Sequence, residues 1–204
     1  MTKSSGFGHY SWFRRCVVRR VETISEQNAL LWGVAWLIIA AIVGWYFRLM
    51  PSSVVSFVPT GYVSLLWSLV LNMVVGIVWS LLFIPLALVR NPKVRSNELL
   101  ARMLFAHWPV VLLMLPAILY DRISYATFVG NPLVGFDLYP MFSIVFSIVV
   151  LLVIVWWLMW SYQAYSVSTE RNSIADKLLF ALVATLSTLL SYVVMSYVLE
   201  RAIS

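Results

Sequence analysis

The sequence predicts an all-α membrane protein of five transmembrane helices, with its N-terminus in the cytoplasm and its C-terminus outside. Three observations carry that prediction. The first is composition: of 204 residues, 62% are hydrophobic and 11% are charged, with a mean hydropathy of +0.92. A soluble domain needs about 25% charged residues to cover its surface, so lipid must be the solvent for much of this chain. The second is a set of five windows without Asp, Glu, Lys or Arg: Leu30–Phe47, Tyr62–Val89, Met103–Tyr120, Leu138–Trp160 and Leu178–Leu199. Each is near or above the roughly 20 residues that cross a bilayer as helix, and helix is required because the hydrocarbon offers backbone groups no water.

The third observation is the placing of the basic residues. Lys3, Arg14, Arg15, Arg19 and Arg20 lie before the first window, Arg90, Lys93, Arg95 and Arg102 between the second and third, and Arg171 and Lys177 between the fourth and fifth. Only Arg48, Arg122 and Arg201 fall on the other side. Cytoplasmic loops carry the excess of Lys and Arg, which fixes the expected orientation. The formal net charge of +6 therefore follows membrane sidedness, and nucleic acid is not an expected partner. A single cysteine, Cys16, excludes an intramolecular disulfide and a cysteine-based metal cluster.

Residues 1–29 form a basic arm ahead of a transmembrane domain over 30–204. The arm lacks the apolar core of a cleavable signal peptide. Tyr10, Phe13, Val17, Val21 and Ile24 recur at spacings of three and four, with Arg15, Arg19, Glu22 and Glu26 on the opposite face. That pattern predicts an amphipathic helix in the headgroup layer. The expected contacts with anionic lipid or a partner are Arg14, Arg15, Arg19 and Arg20 in the arm, and Arg90, Lys93, Arg95 and Arg102 in the next basic loop.

The first window carries Ala40 and Gly44 and ends on Trp45 and Tyr46. The second is long for a straight crossing, so it is expected to tilt or to begin outside the hydrocarbon. It holds Ser64, Ser68, Asn72, Gly76 and Ser80, a small or polar row at spacing four. In lipid such rows mark close helix contacts, and Asn72 is expected to bond across helices. "RNPKVRSNE" (90–98) reads as a charged proline turn. The third window contains His107, Pro109 and Pro116. Pro109 cannot donate to the carbonyl of Phe105, so a kink is expected, with His107 bonding local backbone or a serine. An ionisable residue within a span is also a candidate for proton or ligand handling, a role that Asn72 would share.

The outer segment "YATFVGNPLVGFD" (125–137) has the turn residues Gly130, Asn131, Pro132 and Gly135 and suggests a short hairpin. The fourth window has Ser143 and Ser147 and ends in Trp156, Trp157, Trp160 and Tyr162, expected as interface anchors. Glu170, Arg171, Asp176 and Lys177 read as a solvated inner loop. The fifth window repeats a packing row, Ala181, Ala184, Thr188 and Ser191, and closes on Tyr192 and Tyr197. The expected packing residues are thus Ser64, Ser68, Gly76, Ser80, Pro109, Ala181, Ala184 and Thr188.

No P-loop, HExxH or GxSxG motif occurs, and no acid lies in any window, so neither catalysis nor a metal or other cofactor is expected. "LLARMLFAHWPVVLLML" (99–115) resembles the third span of the Yip family of Ypt/Rab-interacting membrane proteins, where small and aromatic residues precede a proline, here Ala106, Trp108 and Pro109. "WSYQAYSVSTERNSIADKLLFAL" (160–182) resembles that family's fourth-span exit and the polar loop leading to its last span. The resemblance covers about 65–195 and is to the small bacterial form. It implies a non-enzymatic five-helix protein that organises membrane components with a protein partner or as a homo-oligomer. The arm does not resemble the longer cytosolic region of eukaryotic members, so a GTPase or trafficking role is not carried over. Short loops and the missing signal peptide point to a bacterial inner membrane. The other function to weigh is a small-molecule or proton-linked transporter using His107 and Asn72.

Overall fold

In the computed structural model, which describes residues 20–119 and 132–203, five helical spans form an all-α membrane bundle. Arm residues Arg14, Arg15 and Arg19 lie outside the described residues, as does most of the outer segment. The elements in order are α1 (Arg20–Thr23), α2 (Glu26–Phe47), β1 (Leu49–Pro51), β2 (Phe57–Pro59), α3 (Leu65–Leu81), α4 (Phe83–Arg90), α5 (Ser96–Ala106) and α6 (Trp108–Val111). Helix resumes over 114–119 as α7, and α8 (Pro132–Thr169) and α9 (Ile174–Ile203) complete the chain. The spans are Glu26–Phe47, Leu65–Arg90, Ser96–Leu119, Ser143–Thr169 and Ile174–Ala202.

Local chemistry sets most boundaries. Ser25 caps α2 by accepting from the Asn28 N–H, and Ser64 caps α3 by accepting from the Trp67 N–H. Span 2 therefore starts at Leu65 rather than at Tyr62, and Ser64 serves as a cap rather than as a packing residue. The same span breaks at Leu82 because Pro85, one turn on, has no N–H for the Leu81 carbonyl. Span 3 begins at Ser96, earlier than Met103, and it is broken twice. Around the breaks the His107, Val110, Leu112, Leu113 and Leu115 amides all bond to the residue three back, a tighter winding than α-helix. Pro132 opens α8, where its missing N–H costs nothing, so the residues after it extend as helix instead of returning as a hairpin.

Span 3 sits at the centre, packed on spans 1, 2 and 4, while span 5 lies mainly on span 2. Burial follows this: 56% of the most apolar window of span 3 is buried, against 11% for span 4. Close approach depends on glycine. A Cβ on Gly33 would stand 2.8 Å from Leu104 Cβ and 2.9 Å from its carbonyl carbon, and one on Gly76 would stand 3.1 Å from Leu104 Cδ2. Leu104 thus wedges between spans 1 and 2 where both present a bare backbone.

One element was not expected. Between spans 1 and 2 the chain forms a two-stranded antiparallel hairpin, pairing Leu49 with Pro59 and Pro51 with Phe57. Its tip is tied by Ser52 and Ser53, whose hydroxyls both meet that of Ser56. The tip is also anchored to span 5, where Ser191 Oγ accepts from the Val54 N–H at 3.2 Å. Met50, Ser53 and Val54 are buried, so this segment folds back into the bundle.

Candidate functional site

The interior is aromatic rather than polar. Trp157 is buried, and α8 continues for 12 residues beyond it, about 18 Å. Trp157 and Trp160 are therefore core residues rather than the interface anchors their position before Tyr162 suggested. Trp157 lies tilted at 4.4 Å from Trp79, which meets Phe83 at 5.0 Å, and Phe83 meets Phe180 at 5.1 Å. On the other side Phe105 stacks on Trp160 at 5.4 Å, and Trp108 meets Trp156 and Trp36. Rings at these separations gain from their quadrupoles as well as from contact.

His107 enters this cluster from the first break of span 3. Its ring is buried and stands edge-on to Trp157 at 6.0 Å. Its Nδ1 has no hydrogen-bond partner, and neither do the Nε1 atoms of Trp157 and Trp79. The expected bond to local backbone or a serine is not made by Nδ1, and the ring packs edge-on against Trp157. Pro109, beside it, is buried.

Asn72 is buried too, but its amide donates to the Ser68 carbonyl of its own helix at 2.9 Å rather than across helices. The hydroxyl that crosses is that of Ser68, donating to the Ala41 carbonyl of span 1 at 2.7 Å. No hydrogen bond joins Asn72 to His107 among the described residues. Ser80 is buried and bonds the Gly76 carbonyl within its helix. On span 5 Ala184 is buried, Thr188 is half-buried and Ala181 is exposed. The packed face there runs through Phe180, Ala184, Ser187, Ser191 and Met195. Ala181 is thus corrected from a packing residue to a surface one.

The second concentration of chemistry lies where the loop after α4 meets the loop between α8 and α9. Asp176 is 3% exposed, and its Oδ1 stands 3.1 Å from Arg90 Nε, an ion pair without the alignment of a hydrogen bond. Its other oxygen accepts from the Ser173 hydroxyl and from the Ser173 N–H, while Ser173 Oγ accepts from the Asp176 N–H. That reciprocal pair is a capping box at the start of α9. The Asn91 amide donates to the Thr169 carbonyl at 3.2 Å, and the Tyr162 hydroxyl meets Asn172 Oδ1 at 2.8 Å. Asp176 is therefore not part of a solvated loop but the post to which spans 2 and 5 are tied.

Arg102 is similarly engaged, with Glu98 at 2.9 Å and with the Val21 carbonyl of α1 at 3.1 Å. Arg90 and Arg102, expected as headgroup contacts, thus hold partners inside the chain. Of the expected contacts whose side chains are described, Lys93 and Arg95 are exposed, and Arg171 and Lys177 are exposed with them. Across these two loops Glu170 is the exposed acid. The internal pairing of Asp176 leaves Lys93, Arg95, Arg171 and Lys177 as exposed cations at this end, beside the exposed acids Glu22 and Glu170.

The pairing of Arg90 with Asp176 is what sequence reasoning missed. Ser173-x-x-Asp176 has the spacing of a capping box and marks Asp176 as bonded, but nothing in the sequence names Arg90 as its partner. Among the described residues, no three His, Cys, Asp or Glu side chains group to hold a metal ion. Comparison with protein-family models, with curated proteins and with solved structures finds no match.

Proposed function

We propose that this chain is a non-catalytic integral membrane interaction protein of Yip-like type. In this reading its N-terminus is cytoplasmic, and its basic end faces the cytoplasmic surface of a bacterial inner membrane. The observation that carries it is the division of charge there. Arg90 and Arg102 are consumed in bracing the bundle, whereas Lys93, Arg95, Arg171 and Lys177 stay exposed around that brace. A cationic surface suits anionic headgroups and an acidic partner surface, and such attraction weakens with salt.

The test is cross-linking in membranes. The wild type should give a discrete cross-linked species that fades at high ionic strength, and the double charge reversal K93E/R95E should remove it. A pattern indifferent to both charge and salt would count against the proposal.

A second reading is favoured by one observation, the unpartnered His107, Trp157 and Trp79 nitrogens that lie in ring contact. Such a cluster offers hydrogen bonds to a small ligand, as a transporter or ligand-binding protein requires. His107→Ala separates the two. An interaction protein keeps its cross-linked species with a modest loss of stability, and a proton-linked carrier loses transport.

A further inference from the structure

Spans 4 and 5 touch sparsely, and a cleft of about 330 Å³ lies between them. Span 4 lines it with Ile154, Trp157 and Leu158, and span 5 with Ala181, Thr185 and Thr188. Val55 of the hairpin also lines it, beside Val54, whose backbone is fixed to Ser191 farther along span 5. The threonines do not make the cleft polar. Thr185 and Thr188 donate their hydroxyls to the carbonyls of Ala181 and Ala184 in their own helix, so their methyl groups are left as lining.

The same helix face carries charge at one end. Lys177, Ala181, Thr185 and Thr188 follow at spacings of four, four and three, which keeps them on one side of α9. Lys177 is exposed one turn before the cleft begins, and Arg171 is exposed in the loop joining the two helices. From Lys177 to Thr188 the helix rises about 16 Å, close to half of the ~30 Å hydrocarbon core. The length from cation to cleft floor is therefore that of one leaflet.

We propose that this cleft, with Arg171 and Lys177 at its mouth, binds one anionic phospholipid, its phosphate against the two cations and one acyl chain between spans 4 and 5. The proposal rests on the reading that the basic end faces an anionic leaflet. An acyl chain fits where a partner helix does not. Sixteen ångströms of a helix about 10 Å across occupies on the order of 1,200 Å³, more than the cleft holds. A polar solute would find no free hydroxyl donor on the threonines that line it.

The experiment is thermal unfolding of the full chain in detergent, titrated with palmitoyl-oleoyl phosphatidylglycerol and, in parallel, with the matching phosphatidylcholine. A ligand that binds only the folded state raises the melting temperature. The phosphatidylglycerol shift should saturate at one lipid per chain, with no comparable shift from phosphatidylcholine. Ala181→Trp fills the cleft from an exposed position and should abolish the shift, as should the double reversal R171E/K177E. If Ala181→Trp lowers the lipid-free melting temperature, Ala181→Leu is read in its place.

Equal shifts with both lipids, an undiminished shift in the cleft variant, or the same shift from inorganic phosphate alone would overturn the proposal. So would a dimer that the cleft variant dissociates, since a second copy would then be the occupant. K93E/R95E leaves the cleft and its two cations intact and should keep the lipid shift. Cross-linking that persists in K93E/R95E while the lipid shift is kept therefore fails the interaction reading alone, whereas cross-linking lost in K93E/R95E with no lipid shift in the wild type fails this one alone.

Discussion

Gly33 shows what a single residue contributes when lipid is the solvent. Apolar burial no longer drives helices together, so contact has to come from close approach. Gly33 allows it by letting the backbone of span 3 pass where a side chain would collide with Leu104 and the Phe105 nitrogen. Gly33→Ala should destabilise the bundle by about 1–3 kcal/mol, the usual cost of overpacking, because backbone rather than a flexible side-chain tip has to yield. Thermal unfolding in detergent reads this, and an unchanged melting temperature would mean that spans 1 and 3 cross less closely. The buried face of span 1 runs through Ala29, Gly33, Leu37, Ala40, Ala41 and Gly44, of which the small-residue pattern singled out Ala40 and Gly44. Which polar group crosses between spans was not legible. Ser68 and Asn72 lie one turn apart on one face, and spacing cannot say that the hydroxyl reaches Ala41 while the amide turns back on its own helix. His107 poses the same problem, because its Trp157 neighbour lies 50 positions away in the sequence. His107→Ala removes that edge-to-face contact without touching an ion pair, so the interaction reading expects a folded protein that still cross-links.

At the scale of elements, the sequence placed all five spans but not their ends. Charge-free windows mark where lipid forbids ions, whereas helices continue past the last apolar residue as long as caps and partners satisfy their termini. Span 3 begins at Ser96 because Arg102 and Glu98 pair along the helix, and span 4 runs to Thr169 because Tyr162 and Thr169 have partners there. That extension moves Trp157 and Trp160 from an expected interface to the core. The proline breaks were legible at Pro109, while the one before Pro85 was overlooked. The hairpin over Leu49–Pro59 could not be read, since three-residue strands give too short an alternation to register. The loop brace is testable as a unit. Arg90→Asp alone puts two carboxylates together and should lower the melting temperature, and the exchange R90D/D176R should recover part of the loss. No recovery would mean that Arg90 acts through its aliphatic stem rather than its charge.

For the whole molecule, five spans around a central third helix give a closed aromatic interior and an open lateral surface. The apolar exposure of span 4 is what lipid-facing helix requires and needs no partner to explain it. Function in the proposed reading lies instead in the charged end, where internal pairing decides which cations face outward. Mean hydropathy and the distribution of Lys and Arg foretold that such an end exists. The identity of its exposed members depended on the fold, because only packing tells Arg90 and Arg102 apart from Lys93 and Arg95. K93E/R95E should therefore weaken association without unfolding the chain, and a matching loss of stability would show that these residues brace the bundle as well.

The most direct measurement of the central claim is native mass spectrometry of the full chain released from lipid nanodiscs after mild extraction, comparing wild type with K93E/R95E. The expected result is a mass above that of one chain, from a stoichiometric protein partner, that falls to the single chain with any retained phospholipid in the variant. A wild-type monomer carrying a non-lipid small molecule, lost on His107→Ala, would contradict the claim and place function in the aromatic core.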